Sequence, residues 1–213
     1  MLQTIDSSTP LTSWTVLVNV IFGSVASISF RQFHETLILK ASATKFYMTF
    51  RIYVFFCFFA FFVYDWAVWT RLMGESPYRL VISSVFRFVL DLMMGFLLLG
   101  LTWYAGRAEI EERPRVLIFY LVPWHVCAAG WHVLAAWQYG WNHILPQVLA
   151  WHLVIAPLTY AVAWGIARLG AYMFVDQSAP QFLFSRNQWI VGTLATAVLG
   201  VSVVRTLIAF SLI

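Results

Sequence analysis

The sequence predicts an all-α polytopic membrane bundle, on three observations: composition, the length of the apolar runs, and the lack of strand alternation within them. Of 213 residues, 62% are hydrophobic and only 10% charged, against roughly a quarter charged in ordinary soluble domains. So little charge excludes a disordered chain, a disulfide scaffold and a free-standing water-soluble enzyme. A hydrocarbon core of about 30 Å takes about 20 apolar helical residues. Six windows answer to that length, at 13–30, 46–70, 80–106, 115–139, 145–172 and 187–211. The runs are continuously apolar, without the dyad alternation of barrel strands, so helices are the expected spanning element. All six are assigned to one integral membrane domain, residues 1–213.

The first window is short and carries Asn19, Gly23, Ser24, Ser27 and Ser29, so five spans with an interfacial first helix is the alternative. The residues before it show no basic region leading into a short apolar core and no small-residue cleavage site, and a removed signal peptide is not expected. The second window is ringed by Phe55, Phe56, Phe58, Phe59, Phe61 and Phe62; with few polar handles beside them, these rings read as packing against lipid or protein. The third follows Ser76-Pro77. The fourth and fifth open near Pro114 and Pro146, positions where a helix start tolerates proline. Pro123 and Pro157 lie inside those two windows, where each should kink its helix and free a backbone carbonyl. Ser185 and Gln188 form a capping-box pattern ahead of the sixth. Cys57 and Cys127 sit in apolar surroundings and read as small buried hydrophobes.

Lys and Arg are unevenly shared among the connections. The first, third and fifth hold Arg31, Lys40, Lys45, Arg107, Arg113, Arg115, Arg168 and Arg186, whereas the other side holds Arg71 and Arg79. The positive-inside rule then places the first set in the cytoplasm and both termini outside. The same scatter accounts for the net charge of +4 without a nucleic-acid surface. The fourth connection, 138–147, carries no formal charge but has Tyr139, Trp141, Asn142 and His143, which suits an external interfacial turn. In the third, Glu109, Glu111 and Glu112 stand among Arg107, Arg113 and Arg115; this 107–115 turn reads as solvated or as the contact for a cytoplasmic protein.

Four charged residues lie well inside the apolar windows, away from their edges: Asp65, Arg87, Asp91 and Arg205. Each costs about 2.5–3.5 kcal/mol at a helix centre on insertion scales, so each needs a partner or water. Counted from Glu75, Asp65 lies ten residues back and Arg87 twelve forward, which puts them at similar depth and predicts an Asp65–Arg87 pair. Arg87 and Asp91 share a helical face, with Ser84 and Gly95 extending the stripe. Arg205 has no evident partner in sequence, and Asp91 is the first choice. The four either form a neutral network that fixes helix register or line a hydrated pathway, with Asn19 in a polar seam.

Small residues recur at four-residue spacing in Gly192, Thr196 and Gly200, in Ala163, Ala167 and Ala171, and in Asn19, Gly23 and Ser27. Such seams let helices approach closely in lipid, within one chain or between copies in a homo-oligomer.

The dipeptide Trp-His occurs at 124–125, 131–132 and 151–152. His132 and His152 are each ten residues from Asn142, the centre of the turn between their segments, and so share a depth. Histidines so placed are what bis-histidine ligation of haem b requires, with Gly130, Ala128 and Ala129 as small residues for the porphyrin, and His125 on the face of His132 is a possible third ligand for a transition metal. The alternatives are interfacial packing and proton sensing.

No phosphate loop, zinc-protease pair, nucleophile elbow or CxxC motif is present. The six-span plan with a polar first helix loosely resembles the bacterial relatives of lysosomal potassium channels, although their Phe-Ser-Asp signature is missing from the first segment. With charged residues in its second and third spans the chain also looks broadly like membrane subunits of prokaryotic anti-phage systems. Neither likeness rests on a motif, so neither assigns a residue role. The expectation is a non-enzymatic, oligomeric protein of a bacterial inner membrane that passes ions or transmits a membrane signal. The alternative is a haem b electron-transfer subunit.

Overall fold

The computed structural model describes residues 11–39, 45–107, 110, 112–140, 145–174 and 185–211. Lys40, Glu109, Glu111, Trp141, Asn142 and His143 lie outside the described residues. The helices are α1 (Thr12–Leu39), α2 (Lys45–Glu75), α3 (Ile82–Gly106), α4 (Val116–Tyr139), α5 (Leu145–Ala150), α6 (Ala156–Phe174) and α7 (Arg186–Ser211), with a π-helical turn, Trp151–Ile155, joining α5 to α6. Counting α5, the π turn and α6 as one, six helices are long and apolar enough to cross a membrane. The first segment is a helix of 28 residues and is one of the six long and apolar enough to cross, as the six-span count expects.

Helix termini follow local chemistry. The Ser185 amide donates to Gln188 Oε1 at 2.9 Å and the Gln188 amide to Ser185 Oγ at 3.3 Å, the reciprocal capping box expected there. Gly140 closes α4 at φ +76°, with its amide on the Ala136 carbonyl at 2.8 Å; this left-handed turn favours glycine. Pro123 is accommodated within α4. Pro157 has no amide hydrogen to give the preceding turn, and the helix there widens into the π turn, where the Ala156 amide bonds to the Trp151 carbonyl. Pro77 does not open a helix: residues 76–81 form a non-helical connection and α3 starts at Ile82.

In the bundle, α3 packs on α4 and α1, α7 on α6 and α2, and the π turn on α4. The aromatic face of α2 joins these layers. Phe55, Phe58, Phe61 and Phe62 are buried, and the Phe55 ring stacks on Phe33 of α1 with centroids 4.0 Å apart. Cys57 and Cys127 are buried free thiols. The Ala163, Ala167 and Ala171 seam is buried. In the Gly192, Thr196 and Gly200 seam, Thr196 bonds Tyr53 of α2 at 2.6 Å. The α1 seam differs: Gly23 and Ser27 are exposed on the outside of the bundle.

One glycine contact yields a prediction. A Cβ on Gly100 would stand 2.3 Å from the Tyr120 ring, whereas one on Gly200 would meet nothing within 4 Å. Gly100→Ala should therefore separate α3 from α4 and cost about 1–3 kcal/mol, while Gly200→Ala should not destabilise. Thermal unfolding of the two variants in one detergent checks the difference.

Candidate functional site

Asp65, Arg87, Asp91 and Arg205, with the buried histidines, gather in one half of the bundle, toward the end that carries the α2–α3 and α4–α5 connections. They form three clusters around a cavity of about 20 Å³ lined by Asp65, Trp69, Trp131, His132 and Arg205, with Leu72, Met94 and Ala128. That is room for about one water molecule.

The first cluster surrounds Asp91. Its Oδ1 accepts from the Trp69 indole at 2.8 Å, and its Oδ2 from the Trp131 indole at 2.9 Å and from the Tyr78 hydroxyl. Tyr78 lies in the α2–α3 connection, where burial and the neighbouring carboxylate push its phenol up, so it remains protonated and donating. Arg87 lies over these same rings, its guanidinium carbon 4.3 Å from the Trp131 centroid and 5.4 Å from that of Tyr78. It donates to the Ser76 carbonyl at 2.7 Å and to Gln138 Oε1 at 3.0 Å. Aromatic rings thus interleave the two charges: their faces meet the cation and their polar hydrogens meet the anion.

The second cluster corrects the expected pairing. Asp65 bonds not to Arg87 but to Arg205, Nη1 to Oδ1 at 2.5 Å, with side-chain exposures of 5% and 12%. Arg205 is accordingly not a partner of Asp91. The reason is depth. Asp65 lies ten residues into α2 from Glu75, about 15 Å, but Arg87 is only five residues into α3, about 7.5 Å, because residues 76–81 add no helical rise. The Arg205 guanidinium carbon also stands 5.0 Å from the Trp124 centroid.

The third cluster is the histidines. His132 and His152 do meet, with ring centroids 5.5 Å apart. The shorter contact is His125 Nδ1 to His152 Nδ1 at 3.0 Å, and His125 Nε2 lies 3.1 Å from the Tyr160 hydroxyl. The π turn matters here: His152 sits within it, is buried, and faces α4. Bis-histidine haem takes a porphyrin plate between two axial imidazoles; here the His132 and His152 rings stand directly against each other. The His152 ring touches both of the others, and Trp124 packs on two of them, its centroid 4.8 Å from His125 and 5.8 Å from His152. The adjoining space has room for about one water. Among the described residues, no group of three or more His, Cys, Asp or Glu side chains is arranged to hold a metal ion.

Asn19 stands apart from these clusters, accepting from the Trp66 indole at 2.9 Å and donating to the Thr15 carbonyl at 3.1 Å; it ties α1 to α2. The stripe residue Ser84 joins Arg87 through Gln138, whereas a Cβ added at Gly95 would meet only Ile21. Two participants carry no recognisable sequence signal, Tyr78 and Trp69, while Trp131 stands out only as the neighbour of His132 in a chain with eleven tryptophans. Arg51 is a fifth buried charge, 2% exposed, donating to the Ala105 carbonyl at 3.1 Å. It falls inside the second window, but so near its edge that it reads as interfacial.

Fold and site together define a multi-pass helical membrane protein with a dense buried network of charged, aromatic and imidazole groups. Comparison with protein-family models, curated proteins and solved structures gave no match for this chain.

Proposed function

We propose that this chain is a non-enzymatic membrane transducer, inserted in a bacterial inner membrane with both termini outside and working as a homo-oligomer, whose buried network responds to protonation. The observation that carries this reading is the string His152–His125–Tyr160. A neutral imidazole has one donor and one acceptor nitrogen, so the string can run in either of two directions. In one, Tyr160 donates to His125 Nε2 and His125 Nδ1 donates to His152. In the other, His152 Nδ1 donates to His125, whose Nε2 donates to the Tyr160 oxygen. A proton taken up by His152 makes that ring a donor at both nitrogens and selects the second direction. His152 belongs to a π turn, a helical irregularity frequent at functional sites. Below it α6 runs without a break to Arg168, toward the end proposed to face the cytoplasm.

Channel behaviour has less support, since the space joining the three clusters holds about one water. The exposed Gly23 and Ser27 on α1 favour the oligomeric part of the proposal, and the 107–115 turn is the proposed contact for a soluble partner.

The test is tryptophan fluorescence of the purified protein from pH 8 to 3, because Trp124 lies against both imidazoles. A sigmoidal change in wild type that is lost in His125→Gln and in His152→Gln is the expected result. An identical curve in all three proteins, with folding intact, would sink the proposal.

A further inference from the structure

At the opposite end of the bundle, a concavity of about 440 Å³ lies between the α3–α4 connection, the last turns of α6 and the first of α7. Four arginines line it: Arg113, Arg115, Arg168 and Arg186, with Glu112 as the one acid among its described lining residues. Among those residues four cations face one anion. None of the four guanidiniums has an ion-pair or side-chain hydrogen-bond partner among the described residues, in contrast to Arg87 and Arg205. The frame is nevertheless held: the Tyr104 hydroxyl donates to the Arg113 carbonyl at 3.0 Å, and the capping box fixes the start of α7. Positive charges converging from three elements repel one another, and a surface needing only solubility would spread them apart.

Guanidinium forks match phosphate oxygens two at a time. The pocket also sits at the right level for a lipid phosphate. Arg186 opens the last span, and Arg168 is little more than a turn from Met173, where the fifth span ends. Half-buried Trp164 lies on the membrane side of the pocket, as amphipathic rings do at headgroup depth. Basic pockets between transmembrane helices hold anionic headgroups in this way. We propose that the pocket binds a phosphate group, carried by an anionic phospholipid or supplied as free phosphate. This site is separate from the histidine network and does not depend on its role.

Native mass spectrometry of protein released from nanodiscs gives the test for lipid. Nanodiscs of phosphatidylcholine doped with phosphatidylglycerol are compared for wild type, for Arg168→Gln/Arg186→Gln, and for Arg31→Gln/Arg71→Gln, which removes equal charge outside the pocket. Retained phosphatidylglycerol should fall about tenfold or more in the pocket variant and little in the control. The second arm uses inorganic phosphate with protein in pure phosphatidylcholine nanodiscs: a rise in melting temperature in wild type, absent from the pocket variant, assigns the site to a soluble phosphate. Equal lipid retention in pocket variant and control, with no phosphate effect, overturns the proposal. Should the helix variant fold poorly, Arg113→Gln/Arg115→Gln changes only residues flanking α4 and is expected to give the same loss.

Discussion

Replacing Asp91 with alanine will destabilise the protein by about 3–5 kcal/mol, the cost of leaving a buried charge without its partner. Three donors, from Trp69, Trp131 and Tyr78, lose their common acceptor, and Arg87, fully buried, keeps its charge with no anion nearby. For a chain of this size the loss corresponds to a fall in apparent melting temperature on the order of 10 °C. Asp91→Asn should fall between wild type and alanine: it keeps one acceptor oxygen but turns an amide donor toward groups that are themselves donors. The double variant Asp91→Leu/Arg87→Leu should recover part of the loss, because no uncompensated charge remains. Melting in a single detergent, followed by size-exclusion chromatography, ranks the four proteins. A melting temperature for Asp91→Ala within a degree or two of wild type would mean that the carboxylate is hydrated, and the ring-interleaved cluster would lose its meaning.

What the sequence could and could not reveal divides along local and non-local lines. Apolar run length is local, so the windows at 115–139 and 187–211 match Val116–Tyr139 and Arg186–Ser211 closely. The first helix runs on past position 30 to Leu39, because Arg31 and Glu35 pair along its surface at 2.8 Å and polar residues there continue the helix beyond the apolar run. Depth counting worked for His132 and His152, whose ring centroids lie 5.5 Å apart. It failed for Arg87, where the six non-helical residues 76–81 were indistinguishable from helix in the count. The His125–His152 contact depends on the π turn, for which Pro157 is a hint but gives no register. The indole and phenol donors to Asp91 come from three different elements, and such convergence leaves no trace in spacing.

The corrected pairing makes the second large prediction a discriminating one. Asp65→Asn and Arg205→Gln should each cost about 3 kcal/mol or more, since each strands a buried charge beside a cavity too small to hydrate it. Combined, they should cost less than their sum, with a coupling of about 1–3 kcal/mol. The pair Asp65→Asn with Arg87→Gln should instead be close to additive, because the structure gives these two residues no contact. Guanidinium and carboxylate in the first pair are held by α7 and α2, two helices packed along their lengths, so the coupling measures how firmly that seam is pinned at the depth of the histidines. It also bears on the response to protons. His132 lines the same small cavity as Asp65 and Arg205, so neutralising both members of the ion pair should move the midpoint of the fluorescence titration without abolishing it, whereas His125→Gln abolishes it. Strong coupling between Asp65 and Arg87, or none between Asp65 and Arg205, would return the network to the register counted from Glu75 and remove the ion pair from the cavity that His132 lines.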